Sequence, residues 1–363
     1  MSARLPDHLF KAVEARLDKV RISTLRSGYA DLSRRYRDQT VSEAERQDLE
    51  GGASDPHGRA PGGYSRGVAR SLGYLAGRLP ATYAAAQFAL GQVPDAAFEG
   101  VTGALDLGAG PGTATWALSG RWPGLSQALL LESDPEMLRQ AQALATAYPD
   151  LKVSLKSGDL AAQLKACPSQ DLVLMAYVLS ELDEAGQEAL LAEAWAKAGR
   201  GLFLLEPGTP ETSRRVALAR TQLVALGGHV LAPCPQDGAC PAVGQKWWCH
   251  FSVRLERRGL HKLVKGGDLG YEDERFSWLF VSKLALPAAP YRLHADPHRR
   301  NRNLTLDVCD REGKRRELFY DRRKTDANLR QAARRLSWGS AWDPAAVPPA
   351  EPDPEDLDDQ DPT

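Results

Sequence analysis

Three glycines stand two residues apart in Ala104-Leu-Asp-Leu-Gly-Ala-Gly-Pro-Gly-Thr-Ala-Thr115: Gly108, Gly110 and Gly112. Glycines that follow a buried strand let the backbone turn sharply and come close to a ligand. Three carboxylates accompany them. Asp106 lies two residues before the first glycine, Glu132 closes the apolar run Leu129-Leu-Leu-Glu132, and Asp159 sits in Ser157-Gly-Asp-Leu160. A carboxylate at the end of a second strand can accept hydrogen bonds from both hydroxyls of a ribose. The set therefore predicts a cofactor pocket, with Tyr177, Ser180 and Glu181 placed to line it and none of them marked as a base. A second chemistry sits further on. Cys234, Cys240 and Cys249 stand close together in the chain, and Cys309 follows well after them. Reduced thiols clustered in this way predict metal ligation before disulfide formation. Four thiolates suit a tetrahedral zinc or an iron–sulfur cluster, and with no C-x2-C pair the spacing leaves both open. His229 and His250 are expected to be structural, and Cys167, which precedes a strand, to be an inert thiol.

The elements that must carry these groups change along the chain. Leu9, Val13 and Leu17, then Ile22, Leu25, Tyr29, Leu32 and Tyr36, recur at helical steps. Residues 51–67 are rich in glycine and proline and predict a loop, and two helices around 65–79 and 81–90 meet at Pro80. Residues 1–95 are thus expected to form a helical N-terminal region. From 96 to 228 the apolar runs Ala104–Leu107, Ala128–Leu131, Leu172–Val178 and Leu202–Leu205 alternate with helical patterns. That alternation predicts a buried parallel sheet in a doubly wound α/β domain. Residues 229–342 hold four of the five cysteines, a strand-like Phe276–Leu286, and a hairpin of Leu304–Cys309 and Arg315–Tyr320, followed by a helix near 326–336. They are expected to complete the core. An acidic tail, 343–363, is expected to be disordered.

Charge tells the same story once it is divided. The 363 residues carry 46 Lys+Arg and 47 Asp+Glu, a net −1. Positions 343–363 hold eight of the acids and no Lys or Arg, so residues 1–342 carry +7. Between Arg292 and Arg335 there are 14 Lys+Arg against seven Asp+Glu. Arg299-Arg300, Lys314-Arg315-Arg316 and Arg322-Arg323-Lys324 are expected to meet phosphates, with Tyr320 and Trp338 as stacking surfaces. No run approaches the roughly 18 apolar residues that span a bilayer, so no membrane partner is expected. The N-terminal stretch carries acids from Asp7 onward and no apolar segment, which predicts neither a secretion signal nor a transit peptide. The expected location is cytoplasmic.

The glycine spacing departs from G-x-G-x-x-G, whose third glycine would fall at Thr113. It resembles motif I of class I S-adenosylmethionine-dependent methyltransferases instead. That resemblance implies a Rossmann-like doubly wound sheet with S-adenosylmethionine held by Asp106, Gly108, Gly110, Gly112, Glu132, Asp159 and Tyr177. The stretch Asp171–Glu181 has none of the Asn/Asp-Pro-Pro-aromatic motif of amino-methylating enzymes, so the catalytic residues stay unassigned. The strings Arg78-Leu-Pro-Ala-Thr-Tyr83, Leu205-Glu-Pro-Gly-Thr-Pro210, Ala232-Pro-Cys-Pro-Gln-Asp-Gly-Ala-Cys-Pro241 and Trp248-Cys-His-Phe-Ser252 resemble the methyltransferase-like assembly factors of the mitochondrial small ribosomal subunit and their bacterial relatives. The resemblance spans about residues 65 to 340 and departs at Gln236, where histidine is expected. It implies a chain that binds small-subunit ribosomal RNA and assists assembly or translation, monomeric off the ribosome. It also implies a [4Fe–4S] cluster on Cys234, Cys240, Cys249 and Cys309, with catalysis doubtful. The alternative is an active RNA methyltransferase with a structural zinc.

Overall fold

A computed structural model describes residues 3–40, 66–266, 268–300 and 303–349. The glycine loop leaves an inner strand of an eight-stranded sheet. Strands β1 (Gly103–Leu107), β2 (Gln127–Glu132), β3 (Lys152–Ser157), β4 (Gln170–Ala176) and β5 (Ala198–Pro207) run parallel in the order β3-β2-β1-β4-β5. All five residues of β1 are buried, as expected of a strand covered on both faces. The edge strand β3 is mostly exposed and reads Lys-Val-Ser-Leu-Lys-Ser. Its charged, broken pattern, suited to an edge, hides it among the apolar runs.

Three further strands extend the sheet: β6 (His229–Ala232), β7 (Phe251–Glu256) and the 12-residue β8 (Tyr271–Ser282). β8 lies antiparallel to β5 and carries β7 and β6 along the two halves of its far edge. The peptide between Ala232 and Pro233, where β6 ends, is cis.

Helices α1 (Asp7–Leu17), α2 (Ile22–Thr40), α3 (Arg66–Gly77) and α4 (Leu79–Gly91) pack beside this sheet, and Pro80 sits in the first turn of α4. There the missing proline N–H has no intrahelical partner to lose. Leu9, Val13, Leu17 and Leu25 of the first two helices join Trp116, Phe203 and Phe280 in the largest apolar cluster. Between and after the strands come α5 (Thr113–Arg121), α6 (Pro135–Ala145), α7 (Leu160–Ala166), α8 (Glu184–Lys197), α9 (Pro210–Ala225) and α10 (Gly259–Lys265).

A second, antiparallel sheet follows. Its strands are β9 (Tyr291–Leu293), β10 (His298–Arg300), β11 (Asn303–Asp310), β12 (Arg315–Tyr320) and β13 (Ala341–Trp342). β11 pairs along its length with β12, and on its other side with β10 and then β9. Leu293, Leu304, Leu306, Val308, Tyr320 and Trp342 fill the inner face with Ala333 of helix α11 (Ala327–Arg334). Tyr320 is 7% exposed, and its hydroxyl accepts the Trp342 Nε1–H at 2.7 Å. The Trp338 indole donates to the His250 carbonyl at 3.1 Å and packs on the main core. Tyr320 is thus buried and not the open stacking surface expected of it, Trp338 is half-buried, and the exposed ring on β12 is Phe319.

The glycine- and proline-rich stretch at 51–65 lies outside the described residues, as does the acidic tail from 350. Asp343, at the start of that tail, is ordered and caps a short turn through Ala345 N at 3.0 Å. Among the described residues no helix is long and apolar enough to cross a membrane.

Candidate functional site

Gly108, Gly110 and Gly112 all adopt positive φ, at 63°, 53° and 80°. At Gly112 a β-carbon would lie 2.7 Å from the Trp116 ring and 3.0 Å from Leu130, so only glycine lets α5 start this close to the sheet. At Gly110 a β-carbon would meet nothing within 4 Å, because that residue borders open space. The space is a cavity of about 380 Å³ at the carboxyl ends of β1, β2 and β4. Ligands of open α/β sheets bind at such strand ends.

Five of the seven residues expected to hold the cofactor line this cavity: Gly108, Gly110, Glu132, Asp159 and Tyr177. Glu132 is already engaged, accepting Gly110 N–H on Oε2 at 2.8 Å and Asp134 N–H on Oε1 at 2.8 Å. It therefore fixes the loop as well as facing the cavity. Asp159 caps α7 through Ala162 N at 2.9 Å. Gly112 and Asp106 lie behind the wall. Asp106 accepts Thr115 Oγ1 at 2.7 Å, while its Oδ1 is buried with no partner. Burial raises its pKa to about 7, against the pull of the Thr115 hydrogen bonds. Thr113 Oγ1 is likewise buried without a partner.

Sequence patterns missed the roof. Leu32 of α2, Arg70 and Tyr74 of α3 and Thr82 of α4 complete the cavity. Arg70 ties this roof to the rim through Asp134 at 3.1 Å and pairs with Asp31 of α2 at 3.7 Å. Thr82 belongs to the string Arg78–Tyr83, which was the one available signal. Tyr177 holds a non-glycine positive φ of 62° at the end of β4, a conformation retained where surrounding contacts over-determine it. Its hydroxyl donates to Glu274 Oε1 at 3.0 Å, and Glu274 also accepts both Arg78 nitrogens at 2.6 and 2.9 Å. Tyr177 thus forms a wall between the cofactor cavity and a second one of about 700 Å³, bordered by Arg78, Ser180, Thr209, Trp248 and Glu274. Behind that wall Glu206 is fully buried, accepts Val178 and Leu179 N–H at 2.9 and 2.7 Å, and is pushed up to about 7 by burial. Glu181 lines the first cavity and Ser180 the second.

All four C-terminal cysteines border one small cavity, with Trp247, Arg292, His294 and Arg315. Burial, then the charges of the other three thiols, holds Cys249 well above the ordinary thiol range. Cys309 is pushed up to about 12 by burial and its neighbours. The loop carrying Cys249 is pinned by Ser213 and Ser277 hydroxyls on its carbonyl at 2.8 and 2.9 Å. Two buried arginines that the spacing did not mark stand by. Arg220 donates to the Gln236 carbonyl at 2.6 Å and to that of Gly238. Arg292 donates to the Pro233 carbonyl at 2.8 Å, and to the Gly339 carbonyl and Gln92 Oε1 at 3.0 Å. His229 pairs with Asp237 at 3.2 Å, and His250 stacks on Trp248. Neither borders the cysteine cavity. Cys167 is buried apart from it, bonded to the Leu164 carbonyl. Among the described residues no group of three or more His, Cys, Asp or Glu is arranged to hold a metal ion. The four thiols of the extension thus share a cavity, and metal binding, expected of them, is not shown by the structure.

The parallel order 3-2-1-4-5, its antiparallel extension and the glycine-loop cavity at the strand ends define a class I methyltransferase-like α/β protein. Within that class the chain belongs to the family described as mitochondrial small ribosomal subunit Rsm22, whose model matches residues 68–343. No curated protein matches it. Solved structures that the chain is similar to include an O-methyltransferase family protein from Burkholderia thailandensis (18% identity over 37% of this chain and 48% of that one, TM-score 0.31). Others are a putative RNA methyltransferase from Pyrococcus horikoshii (16%, 60% and 87%, 0.34) and the magnesium protoporphyrin IX methyltransferase of Synechocystis (14%, 51% and 74%, 0.33). The chain spans about half the length of the Burkholderia protein. At these identities the likenesses say nothing of substrate.

Proposed function

We propose that the chain is a small-subunit-associated, ribosomal-RNA-binding factor on a methyltransferase scaffold, with S-adenosylmethionine in the glycine-loop cavity and a [4Fe–4S] cluster on Cys234, Cys240, Cys249 and Cys309. The observation that carries it is the convergence of those four cysteines, from separate segments of the sequence, on one cavity in a chain of this family.

The donors suit the proposed groups. Four thiolates bring negative charge that Arg220, Arg292 and Arg315 can offset, and four cysteines are a ligand set that such a cluster takes. A bound cluster would supply a rigid cross-link between the β6–β7 connection and β11. On the cofactor side, Asp106 Oδ1 and Thr113 Oγ1 are buried polar atoms without partners beneath the loop, and Glu132 faces the cavity where a ribose would lie. The chain acts in this reading as a monomer in the compartment where its subunit matures, the cytoplasm on the sequence reading, although the matching family is described as mitochondrial.

Protein purified without oxygen should contain about four irons and four sulfides per chain, with the broad visible absorbance of such clusters. Zinc without sulfide would overturn the cluster. Calorimetry with S-adenosylmethionine tests the cavity, and co-sedimentation with small subunits from a deletion strain tests the partner. A second reading, an active RNA methyltransferase with structural zinc, is favoured by the cavity of about 700 Å³ beyond Tyr177, which has room for a methyl acceptor. Transfer of labelled methyl groups to ribosomal RNA, abolished by Glu132→Ala, would decide for it.

A further inference from the structure

Successive side chains of a strand point to opposite faces, and residues directly opposite on neighbouring antiparallel strands share a face. On β11, Leu304, Leu306 and Val308 turn into the core, so Asn303 and Thr305 turn outward. Thr305 pairs with Phe319 on β12 and with His298 on β10. Phe319, Thr305 and His298 therefore form one row across three strands on the outer face. Phe319 is 62% exposed, the most exposed large apolar side chain among the described residues. The next row holds Asn303 opposite Arg300. Asn303 Oδ1 accepts the backbone N–H of Arg322 at 3.1 Å, which brings the exposed loop Arg322-Arg323-Lys324 against this end of the face.

The acids on the face leave that end positive. Asp307 is held by Arg315 at 2.8 Å, and Asp321 is turned into its own loop, accepting Arg323 and Lys324 N–H at 2.8 and 3.1 Å. Glu317 stands one row further along β12, opposite Asp307 and away from Arg300.

We propose that this outer face, formed by β10, β11 and β12, binds single-stranded RNA by stacking a base on Phe319 while Arg300 and the Arg322-Arg323-Lys324 loop take the flanking phosphates. The inference rests on the RNA-binding reading above and names its surface. An exposed ring beside hydrogen-bonding Thr305 and His298, with four cations at one end, matches a chain that alternates flat bases with anionic phosphates. A duplex hides its bases and offers Phe319 nothing to stack on. An acidic peptide would use the cations and leave the ring idle.

The test measures binding of the full chain to a fluorescent, mixed-sequence single-stranded RNA oligonucleotide at several salt concentrations. Phe319→Ala should weaken binding about five- to a hundredfold, and Phe319→Trp should restore it. Lys324→Gln should lower the dependence of log affinity on log salt by roughly 0.7. The proposal is overturned if Phe319→Ala binds the oligonucleotide as the wild type does, or if a duplex of the same length binds equally well and is equally sensitive. If Phe319→Ala keeps its oligonucleotide affinity but no longer captures small-subunit proteins from nuclease-treated particles, the face belongs to a protein instead. Wild-type protein that binds no RNA would remove the RNA-binding reading itself. Unchanged binding in Phe319→Ala would remove only this surface.

Discussion

The glycine-loop cavity and the cysteine cavity are built in opposite ways. The first is largely satisfied by the chain itself: Glu132 holds Gly110, Asp159 caps its helix, Arg70 clamps the rim, and beneath the loop Asp106 Oδ1 and Thr113 Oγ1 are left without partners. The second gathers thiols whose charges oppose one another, each raising the energy of ionising the next. A pocket of the first kind keeps its shape whether or not a ligand is bound. One of the second kind, on the proposed reading, is completed by its ligand, because a metal stabilises the thiolates that burial and their neighbours otherwise keep protonated. The cofactor cavity should therefore govern affinity, and the cysteine cavity stability.

The largest effect should come from the cysteine side. If the proposed cluster is bound, Cys309→Ser should remove its iron and sulfide, with a loss of several kcal/mol of metal-coupled stability. That corresponds to a fall in Tm of ~10 °C or more. Wild-type metal content and Tm in this variant would break the comparison.

On the glycine side the strongest stability signal should be a pH dependence. Asp106 is lifted by burial to about 7 from an ordinary 3.8, so the folded chain holds a proton that the unfolded chain has released between those values. The stability tied to this neutral carboxyl is fully present below about pH 4 and lost as pH rises through about 7. The difference amounts to ~4 kcal/mol at most for one group. Glu206, lifted to about 7, adds in the same direction. Urea unfolding across mildly acidic to neutral pH should show Asp106→Asn with a shallower decline than the wild type; parallel curves would refute the assignment.

Gly112→Ala comes next, with a loss of ~2–3 kcal/mol, since its β-carbon would strike Trp116 in a backbone region that alanine rarely adopts. Denaturant midpoints measure it, and a midpoint equal to that of the wild type would mean that the helix start can shift. The smallest effect should be the most diagnostic. Glu132→Ala should weaken S-adenosylmethionine binding about ten- to a hundredfold by calorimetry while moving Tm little. A large drop in Tm with intact affinity would reverse the division of labour.

Much of the first site was legible because its signals are local. Apolar runs with Asp106 and Glu132 at or next to their ends, and glycines directly after β1, report backbone constraints that act within a few residues. The pocket's roof was not, because Leu32, Arg70 and Tyr74 carry no chemistry until α2 and α3 pack over the strand ends. In the second sheet Tyr320 was expected outside and is inside, while its neighbour Phe319 is exposed. In a strand, one residue decides the face, and with β12 exposed except at its end the pattern Arg-Arg-Glu-Leu-Phe-Tyr does not say which parity is buried.

Sequence by itself determined the parallel core and the glycine turn with its carboxylates. These follow from side-chain period and backbone sterics between near neighbours. Only the tertiary structure decided that Arg220 and Arg292 stand beside the four cysteines, that Tyr177 parts two cavities, and that Phe319 faces outward. Each of these is a meeting of segments far apart in the chain, set by how sheets and helices bury their apolar faces, and no spacing between neighbours encodes it.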